Sequence, residues 1–291
     1  KEKSKFVGNV IIKEGKSVVS RPFGNWRIRV DGSIDAAASP DYAINFLLTY
    51  GKENWKISGL VNTDAKGHLF LKTEHFALDS FSDLAKRYLG IEELKGSVKD
   101  LNLRWSGDGN DISLEGTGNL ANVAAIAAYQ EEKIPMVLNG KVSFHQKVVE
   151  AVNLEFTANG EKGRLNGKLD LNNIDDPVAE DLSVELTAFD LQKVVAASPV
   201  SGKISGSLTL NGTQKDFSAN GVFSSDALAF QGQTFSKVSL PISAQNSKIV
   251  IPGAKAEYGG GGIFLFGEYA VNDGDFSAAL EFDNADIAGL A

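Results

Sequence analysis

Apolar and polar residues alternate along most of the 291-residue chain. Every second side chain of an extended strand points to the same side of the backbone, so this period predicts strands with one apolar and one polar face. Mostly Lys, Ser, Asn, Thr and Glu stand between the apolar positions. The pattern indicates an all-β protein and is clearest in two runs: Ile44, Phe46, Leu48 and Tyr50, and Leu182, Val184 and Leu186.

Asx-Gly pairs occur in two kinds of place along the alternating pattern, between runs and inside them. Asp31-Gly32, Asn159-Gly160 and Asn211-Gly212 have the composition of tight hairpin turns, because both residue types tolerate positive φ. Asn139-Gly140 and Asn166-Gly167 lie inside alternating runs, where glycine is more typical of a bulge or a sharp bend. The chain is therefore expected to form successive antiparallel hairpins in a strongly curled sheet.

Helical character is confined to three short stretches. Residues 80–94 contain Ser and Asp residues that can cap a helix, residues 189–198 offer a turn or two after Asp190, and residues 119–133 are alanine-rich after an Asn. The sequence thus predicts a few short helices in an otherwise β chain.

An internal repeat links two parts of the chain. Each contains an apolar strand, an Asp-Leu cap with a helix, and two alternating strands around a glycine-containing turn. Gly107 and Gly116 are spaced like Gly212 and Gly221. We predict one continuous array with sub-repeats at about 1–75 (partial), 76–185, 186–279 and 280–291 (the start of the next), and expect the chain to be a fragment of a longer protein.

A sheet built from this many strands has to fold over on itself. About twenty strands at ~4.8 Å spacing would extend on the order of 90–100 Å, which open twisted sheets rarely do without curling or splitting. Either two walls pack into a filled sandwich or solenoid, or the sheet bends into a U around an apolar trough. Alternation does not distinguish these outcomes, because both need one dry face.

Composition narrows the function. The formal net charge of −8 argues against a nucleic-acid surface or a polybasic membrane-docking surface. The absence of cysteine excludes disulfides, thiolate metal sites and a cysteine nucleophile. Neither a catalytic motif nor a ligand-spaced histidine pair is present, so we expect a protein that is not an enzyme and has no cofactor or metal.

An open trough would suit hydrocarbon chains. Exposing an acyl chain to water costs ~0.8 kcal/mol per CH₂, on the order of 10 kcal/mol for about fourteen carbons, and a dry groove would remove most of this cost. The candidate groove-lining residues are the apolar members of alternating strands in the second part of the chain: Leu154, Phe156, Leu165, Leu169, Ile204, Leu208, Leu210, Phe217, Phe223, Ile263, Leu265, Phe276, Leu280 and Phe282.

Over residues 76–291 the chain resembles the AsmA/TamB superfamily of diderm bacteria, more closely its TamB-like branch. The resemblance lies in glycine-punctuated hairpins such as "VSGKISGSLTLNGT", in the short "FDLQKVV" segment before a repeat restarts, and in long alternation without cysteine. It implies an elongated, U-shaped antiparallel sheet, a "β-taco" with a hydrophobic groove. The protein would be anchored in the inner membrane by a segment outside this sequence, extend through the periplasm and carry phospholipids towards the outer membrane.

The resemblance also implies a TamA-like outer-membrane barrel as a partner, phospholipid acyl chains as the ligand, and no catalytic residues. Three alternatives stay open. The chain could be a structural or adhesive β-solenoid or sandwich with a filled core, an assembly factor for outer-membrane proteins, or a polysaccharide-processing β-helix enzyme. An enzyme of that kind would be expected to cluster carboxylates on neighbouring turns, and the sequence shows no such cluster.

Overall fold

The fold is known from a computed structural model. It describes residues 9–21, 24–36, 41–62, 64, 66–79, 82, 85–86, 93–108, 111–129, 132–173, 176–195, 198–213, 216–246, 248–270 and 274–286.

Seventeen strands form one antiparallel sheet in the described part of the chain. Successive strands are neighbours, as expected for a series of hairpins, so the predicted all-β antiparallel fold is confirmed. The strands are β1 (Asn9–Arg21), β2 (Gly24–Asp35), β3 (Asp41–Tyr50), β4 (Glu53–Asn62), β5 (Gly67–Ala77), β6 (Leu94–Asp108), β7 (Asp111–Tyr129), β8 (Glu132–His145), β9 (Val148–Ala158), β10 (Glu161–Asp170), β11 (Val178–Asp190), β12 (Val200–Gly212), β13 (Phe217–Phe230), β14 (Gln233–Gln245), β15 (Lys248–Tyr258), β16 (Gly261–Ala270) and β17 (Phe276–Asp283).

The chain divides into two compact units. Unit 1 comprises Lys1–Ala125 and Asn139–Val149, and unit 2 comprises Ile126–Leu138 and Glu150–Ala291. This division differs from the sub-repeat boundaries expected from the sequence, which stay a prediction. Both units nevertheless contain the same series of elements: two strands, a helical connection and two more strands, as β4–β7 in unit 1 and β10–β13 in unit 2.

The three predicted helices have different outcomes. Leu191–Val194 forms a single helical turn, and the Asp190 carboxylate caps it by accepting the backbone N–H of Gln192 at 3.2 Å. In the stretch 80–94, Ser82, Ala85 and Lys86 are helical, and most of the remaining residues lie outside the described ones.

The helix predicted over residues 119–133 is wrong, because β7 continues as a strand through most of this stretch. Ala121 pairs with Ser97, and Ala124 with Lys95, on the neighbouring strand β6. Alanine has the highest helix propensity of the common residues, but such intrinsic preferences are small, and the hydrogen bonds of the sheet outweigh them here.

Pairing between strands gives unit 1 one apolar face and one polar face. Directly paired residues of an antiparallel sheet lie on the same face, so the registers identify the members of each face. The apolar face of unit 1 contains these rows of paired residues: Val30–Leu48–Trp55–Thr73–Leu101, Gly32–Phe46–Ile57–Leu71–Leu103–Gly116 and Ile34–Ile44–Gly59–Leu69–Trp105–Leu114.

Unit 2 has the same organisation. Its polar face carries Ser207, Thr209 and Asn220 among others. Its apolar face is continuous from β11 to β17, because one row of directly paired residues crosses all seven strands. That row and two shorter ones are Leu182–Leu210–Ala219–Ala244–Ile249–Tyr269–Phe276, Val184–Leu208–Gly221–Ile242 and Leu186–Gly206–Phe223–Leu240.

Asp31-Gly32 and Asn211-Gly212 do not form the turns expected of them. Asp31-Gly32 lies inside β2, and Asn211-Gly212 ends β12, whose hairpin is closed by later residues. The Asp31 carboxylate accepts the backbone N–H of Glu14 at 2.7 Å, and the Asn211 side-chain oxygen accepts that of Asp181 at 2.7 Å. Glu14 and Asp181 both have φ near +50°, and the register shifts at both places.

These Asx side chains therefore stabilise bulges in the neighbouring strand. A bulge leaves a backbone N–H without its partner in the ladder, and the Asx oxygen accepts it. The same contact joins two further pairs: Asn139 with Asn122 at 2.7 Å and Asn166 with Asn153 at 2.6 Å. The register shift opposite Gly167 confirms the bulge expected near Asn166-Gly167.

Removing one of these side chains should destabilise the sheet. Asn211→Ala leaves the N–H of bulged Asp181 without its acceptor, and we expect a loss of about 1 kcal/mol in the free energy of unfolding. Asn220→Ala, on the polar face of the adjacent strand, is the matched control and should cost less. Urea midpoints of the two variants test this, and equal midpoints would contradict it.

Candidate functional site

The predicted groove-lining residues gather on the apolar face of unit 2. Registers place twelve of them there directly. Phe156 joins them because its ring lies 6.3 Å from that of Phe189, which pairs with Ile204. Leu154 precedes Phe156 by two residues on β9 and so shares its face. That these residues contact lipid stays a prediction.

This face is only partly shielded from solvent. Of the fourteen residues, Leu154 and Ile263 are buried, at 4% and 7% exposure, whereas Phe276, Leu280 and Phe282 are 70%, 57% and 43% exposed. The other nine are half-buried. Among all described residues, no large side chain is more than 98% buried.

Such exposure differs from that of a filled core. Two sheets packed face to face interlock their side chains across ~10 Å, and the leucines in the middle of such a layer become almost fully buried. Leu208 and Leu210 lie on β12, in the interior of the sheet with a strand on either side, and both stay half-buried. The apolar face of unit 2 is therefore not sealed from solvent at these two leucines.

Unit 1 carries a second apolar face, and none of the predicted groove-lining residues lies on it. Phe46, Ile57, Leu71 and Leu103 pair in one row across β3 to β6. The alternation that marks them was visible in the sequence around residue 46, but the internal repeat was weaker in this region. A search for alternation alone would have found them.

The polar faces carry charged pairs instead. Arg104 and Glu115 form a cross-strand ion pair at 3.2 Å in unit 1, and Lys237 and Glu257 form one at 2.9 Å in unit 2. All four side chains are more than 40% exposed, so these pairs contribute little to stability. These two ion pairs therefore lie on the opposite side of the sheet from the apolar rows.

In each unit, the carboxylate of a glutamate at the start of one strand accepts a backbone N–H from the end of the next strand. Glu161, the first residue of β10, accepts the backbone N–H of Asp190 at 3.0 Å and the Lys193 ammonium at 2.8 Å. Glu53, the first residue of β4, accepts the N–H of Ala77 at 2.7 Å in the same way. Both hydrogen bonds hold the last residue of the following strand, β5 or β11, at the point where the helical segment after it begins.

Glu161 is the more shielded partner of its ion pair. Its side chain is 13% exposed, against 58% for Lys193. The hydrogen bond from Lys193, followed by that from the Asp190 N–H, lowers the pKa of the Glu161 carboxyl below its ordinary value of 4.5. The same pair raises the pKa of Lys193.

The described residues contain neither a group of three metal-ligating side chains nor a helix that is long and apolar enough to span a membrane.

Comparisons with known proteins add nothing to this description. No family model matches the chain, and searches of curated proteins and of solved structures find no match.

The contact at Glu161 should make stability depend on pH. Folding lowers the pKa of the Glu161 carboxyl. The contacts of the ionised carboxylate therefore stabilise the fold fully when the pH is above the pKa of the unfolded chain, and this stabilisation is lost as the pH falls through the lower pKa of the folded protein. We expect Glu161→Gln to lower Tm by about 2–4 °C near pH 7 and by much less below about pH 4.

Glu185→Gln provides the control for this comparison, because Glu185 is exposed on the polar face of β11. Thermal unfolding followed by circular dichroism at several pH values measures the difference. A Glu161→Gln deficit that is the same at every pH would contradict the proposed role of the carboxylate.

Proposed function

We propose that this chain is a non-enzymatic, periplasmic segment that conducts phospholipids between the inner and outer membranes of a diderm bacterium. The observation that carries the proposal is the apolar face of unit 2, which registers connect from β11 to β17 and which stays accessible. The resemblance of the sequence to the AsmA/TamB superfamily supplies the compartment, the inner-membrane anchor outside this segment and a TamA-like barrel as partner.

The dimensions of the face suit an acyl chain. Seven strands at ~4.8 Å spacing span roughly 29 Å across β11 to β17. One leaflet of a bilayer contributes half of the ~30 Å hydrocarbon core, so one acyl chain is about half as long as this surface. A chain could therefore move along the face while staying in contact with apolar side chains.

The chemistry of the face also supports hydrocarbon as the ligand. The row from Leu182 to Phe276 contains no charged residue, and its one polar group is the Tyr269 hydroxyl. Each CH₂ kept out of water stabilises the bound state by ~0.8 kcal/mol. The headgroup would remain in solvent, which explains how transport could proceed without a closed pocket.

Charge on the apolar face should abolish lipid binding. Leu280→Asp places a carboxylate among Leu265 and its neighbours, and we expect at least a tenfold loss of co-purifying phospholipid. Leu208→Asp and Phe282→Asp should act in the same way. Ala279→Asp is the matched control, because it adds the same charge on the other face of the same strand.

Lipid extraction followed by mass spectrometry measures the amount bound per protein, and circular dichroism confirms that each variant folds. Lipid-free wild-type protein, or equal lipid loss in Leu280→Asp and Ala279→Asp, would contradict lipid conduction. The first result would favour a structural or adhesive role.

A further inference from the structure

β17 pairs with β16, and no other strand among the described residues pairs with its outer edge. All eight of its residues are exposed. The Ala270 N–H donates to the Asp275 carbonyl at 2.9 Å, so Asp275 and every second residue after it direct their backbone groups towards β16. The alternate residues, from Phe276 to Phe282, therefore direct their N–H and C=O groups outward, where a further strand could pair with them.

β17 also lacks the features that commonly prevent pairing at the edge of a sheet. Such edges usually carry lysine, proline or a bulge. β1, the first strand, has a bulge between Ile12 and Gly15, next to Lys13 and Lys16. β17 has the sequence FSAALEFD, which contains neither lysine nor proline, and its register with β16 is unbroken. Its edge is therefore suited to pairing with another strand.

The residue after β17 has the backbone of a bulge that faces a following strand. Asn284 has a φ of +54°. Five residues with φ between +47° and +52° donate their N–H to a side-chain oxygen of the following strand at 2.6–2.9 Å: Glu14 to Asp31, Asn122 to Asn139, Asn153 to Asn166, Asp181 to Asn211 and Ala188 to Ser205. The following strand is the one that β17 lacks among the described residues.

β17 also ends in the same way as β11. Ala188, the bulged residue of β11, stands two residues before Asp190, and Asn284 stands two residues before Asp286. The N–H of Asp190 is accepted by the first residue of β10, and that of Asp286 is accepted by the Gly259 carbonyl, just before β16, at 3.2 Å. Because β11 has β12 on its outer side, β17 has the end of a strand with a neighbour on that side.

The sequence of β17 is complementary to a second copy of itself. In an antiparallel pair centred on Ala279, Phe276 lies opposite Phe282 of the other copy, and Ala278 lies opposite Leu280. All four of these residues belong to the apolar face, so the apolar faces of both copies would lie on the same side of the joined sheet. A slip by one residue would place apolar side chains opposite polar ones.

The same register supplies an acceptor for the bulge. At Asp181 the accepting Asn211 stands directly opposite in the register that continues after the bulge. The same step at the end of β17 places Asp275 of the second copy opposite Asn284. Asp275 therefore presents a carboxylate where the other bulges have a side-chain oxygen, and two-fold symmetry repeats this contact at both ends of the pair.

We propose that β17 pairs antiparallel with β17 of a second copy around a two-fold axis at Ala279, and that Asp275 of each copy accepts the N–H of Asn284 of the other. Glu281 lies opposite uncharged Ser277 in this register, which avoids a directly opposed pair of like charges. A following sub-repeat would offer a different strand to this edge, and the complementarity of β17 to itself favours the second copy. The inference does not depend on lipid binding.

The register predicts a disulfide at one position of β17. Ala279→Cys places two thiols on directly opposed residues, whose Cα atoms lie about 4.5 Å apart in a non-hydrogen-bonded pair, within the range of disulfides. Ser277→Cys is the matched control on the same face, because its two copies would be roughly 14 Å apart. The chain has no native cysteine. We expect at least about tenfold more covalent dimer from Ala279→Cys after mild oxidation, measured on non-reducing gels.

Analytical ultracentrifugation of the purified, lipid-free 291-residue chain measures the assembly directly. We expect a discrete dimer of twice the 31.0 kDa chain mass. Asp275→Ala removes both acceptors and should raise the Kd of the dimer at least about tenfold. Asp275→Asn keeps the acceptor and removes a charge near Asp283, so it should dimerise at least as tightly as the wild type.

A monomeric wild-type chain would overturn the proposal, and so would a broad range of masses, which would show unspecific edge aggregation. A disulfide in Ser277→Cys instead of Ala279→Cys, or equal weakening by Asp275→Ala and Asp275→Asn, would contradict the register. Ala279→Asp sets like charges directly opposite at the axis and should be monomeric while keeping its lipid. The failure of dimerisation is thus distinguishable from the failure of lipid conduction.

Discussion

Side-chain alternation has to stay in phase across many strands if one face of the sheet is to remain apolar. A one-residue slip would move every apolar side chain of a strand to the other face. A bulge inserts one extra residue into a strand and so can shift this alternation, and bulges occur in the sheet at positions such as Glu14 and Asp181. The Asx side chains opposite these residues accept the N–H groups that the bulges release. The sheet thus bends or twists locally while its apolar rows stay aligned.

The aligned rows explain why an apolar face and solvent access occur together. Leu208 and Leu210 of β12 pair with apolar residues on β11 and with small residues on β13, and such cross-strand contacts stabilise the sheet while both leucines stay half-buried. Further burial is then available to a ligand.

Alternation alone was enough to predict the fold class and the shared face of residues such as Leu208 and Phe282, because the period of a strand translates directly into sides of a sheet. Local signals were less informative. Asn211-Gly212 has the composition of a turn, but the Asn211 side chain accepts the backbone N–H of the bulged residue Asp181. This role depends on a residue 30 positions earlier in the chain, so local composition does not reveal it. The alanines near residue 121 have a local preference for helix, but they pair with β6, and no local signal in the sequence indicates that pairing. Accessibility of the apolar face also needed coordinates, since filled and open sheets share one pattern.

The most direct test of an accessible apolar face uses the absence of native cysteine. Leu210→Cys places one thiol on the apolar face, and Thr209→Cys places one on the polar face of the same strand. With lipid removed, both thiols should react with a small water-soluble maleimide at similar rates, and added phospholipid should protect Leu210→Cys alone. A Leu210→Cys thiol that stays unreactive in the folded, lipid-free protein would contradict the account, because it would show a filled core over this face.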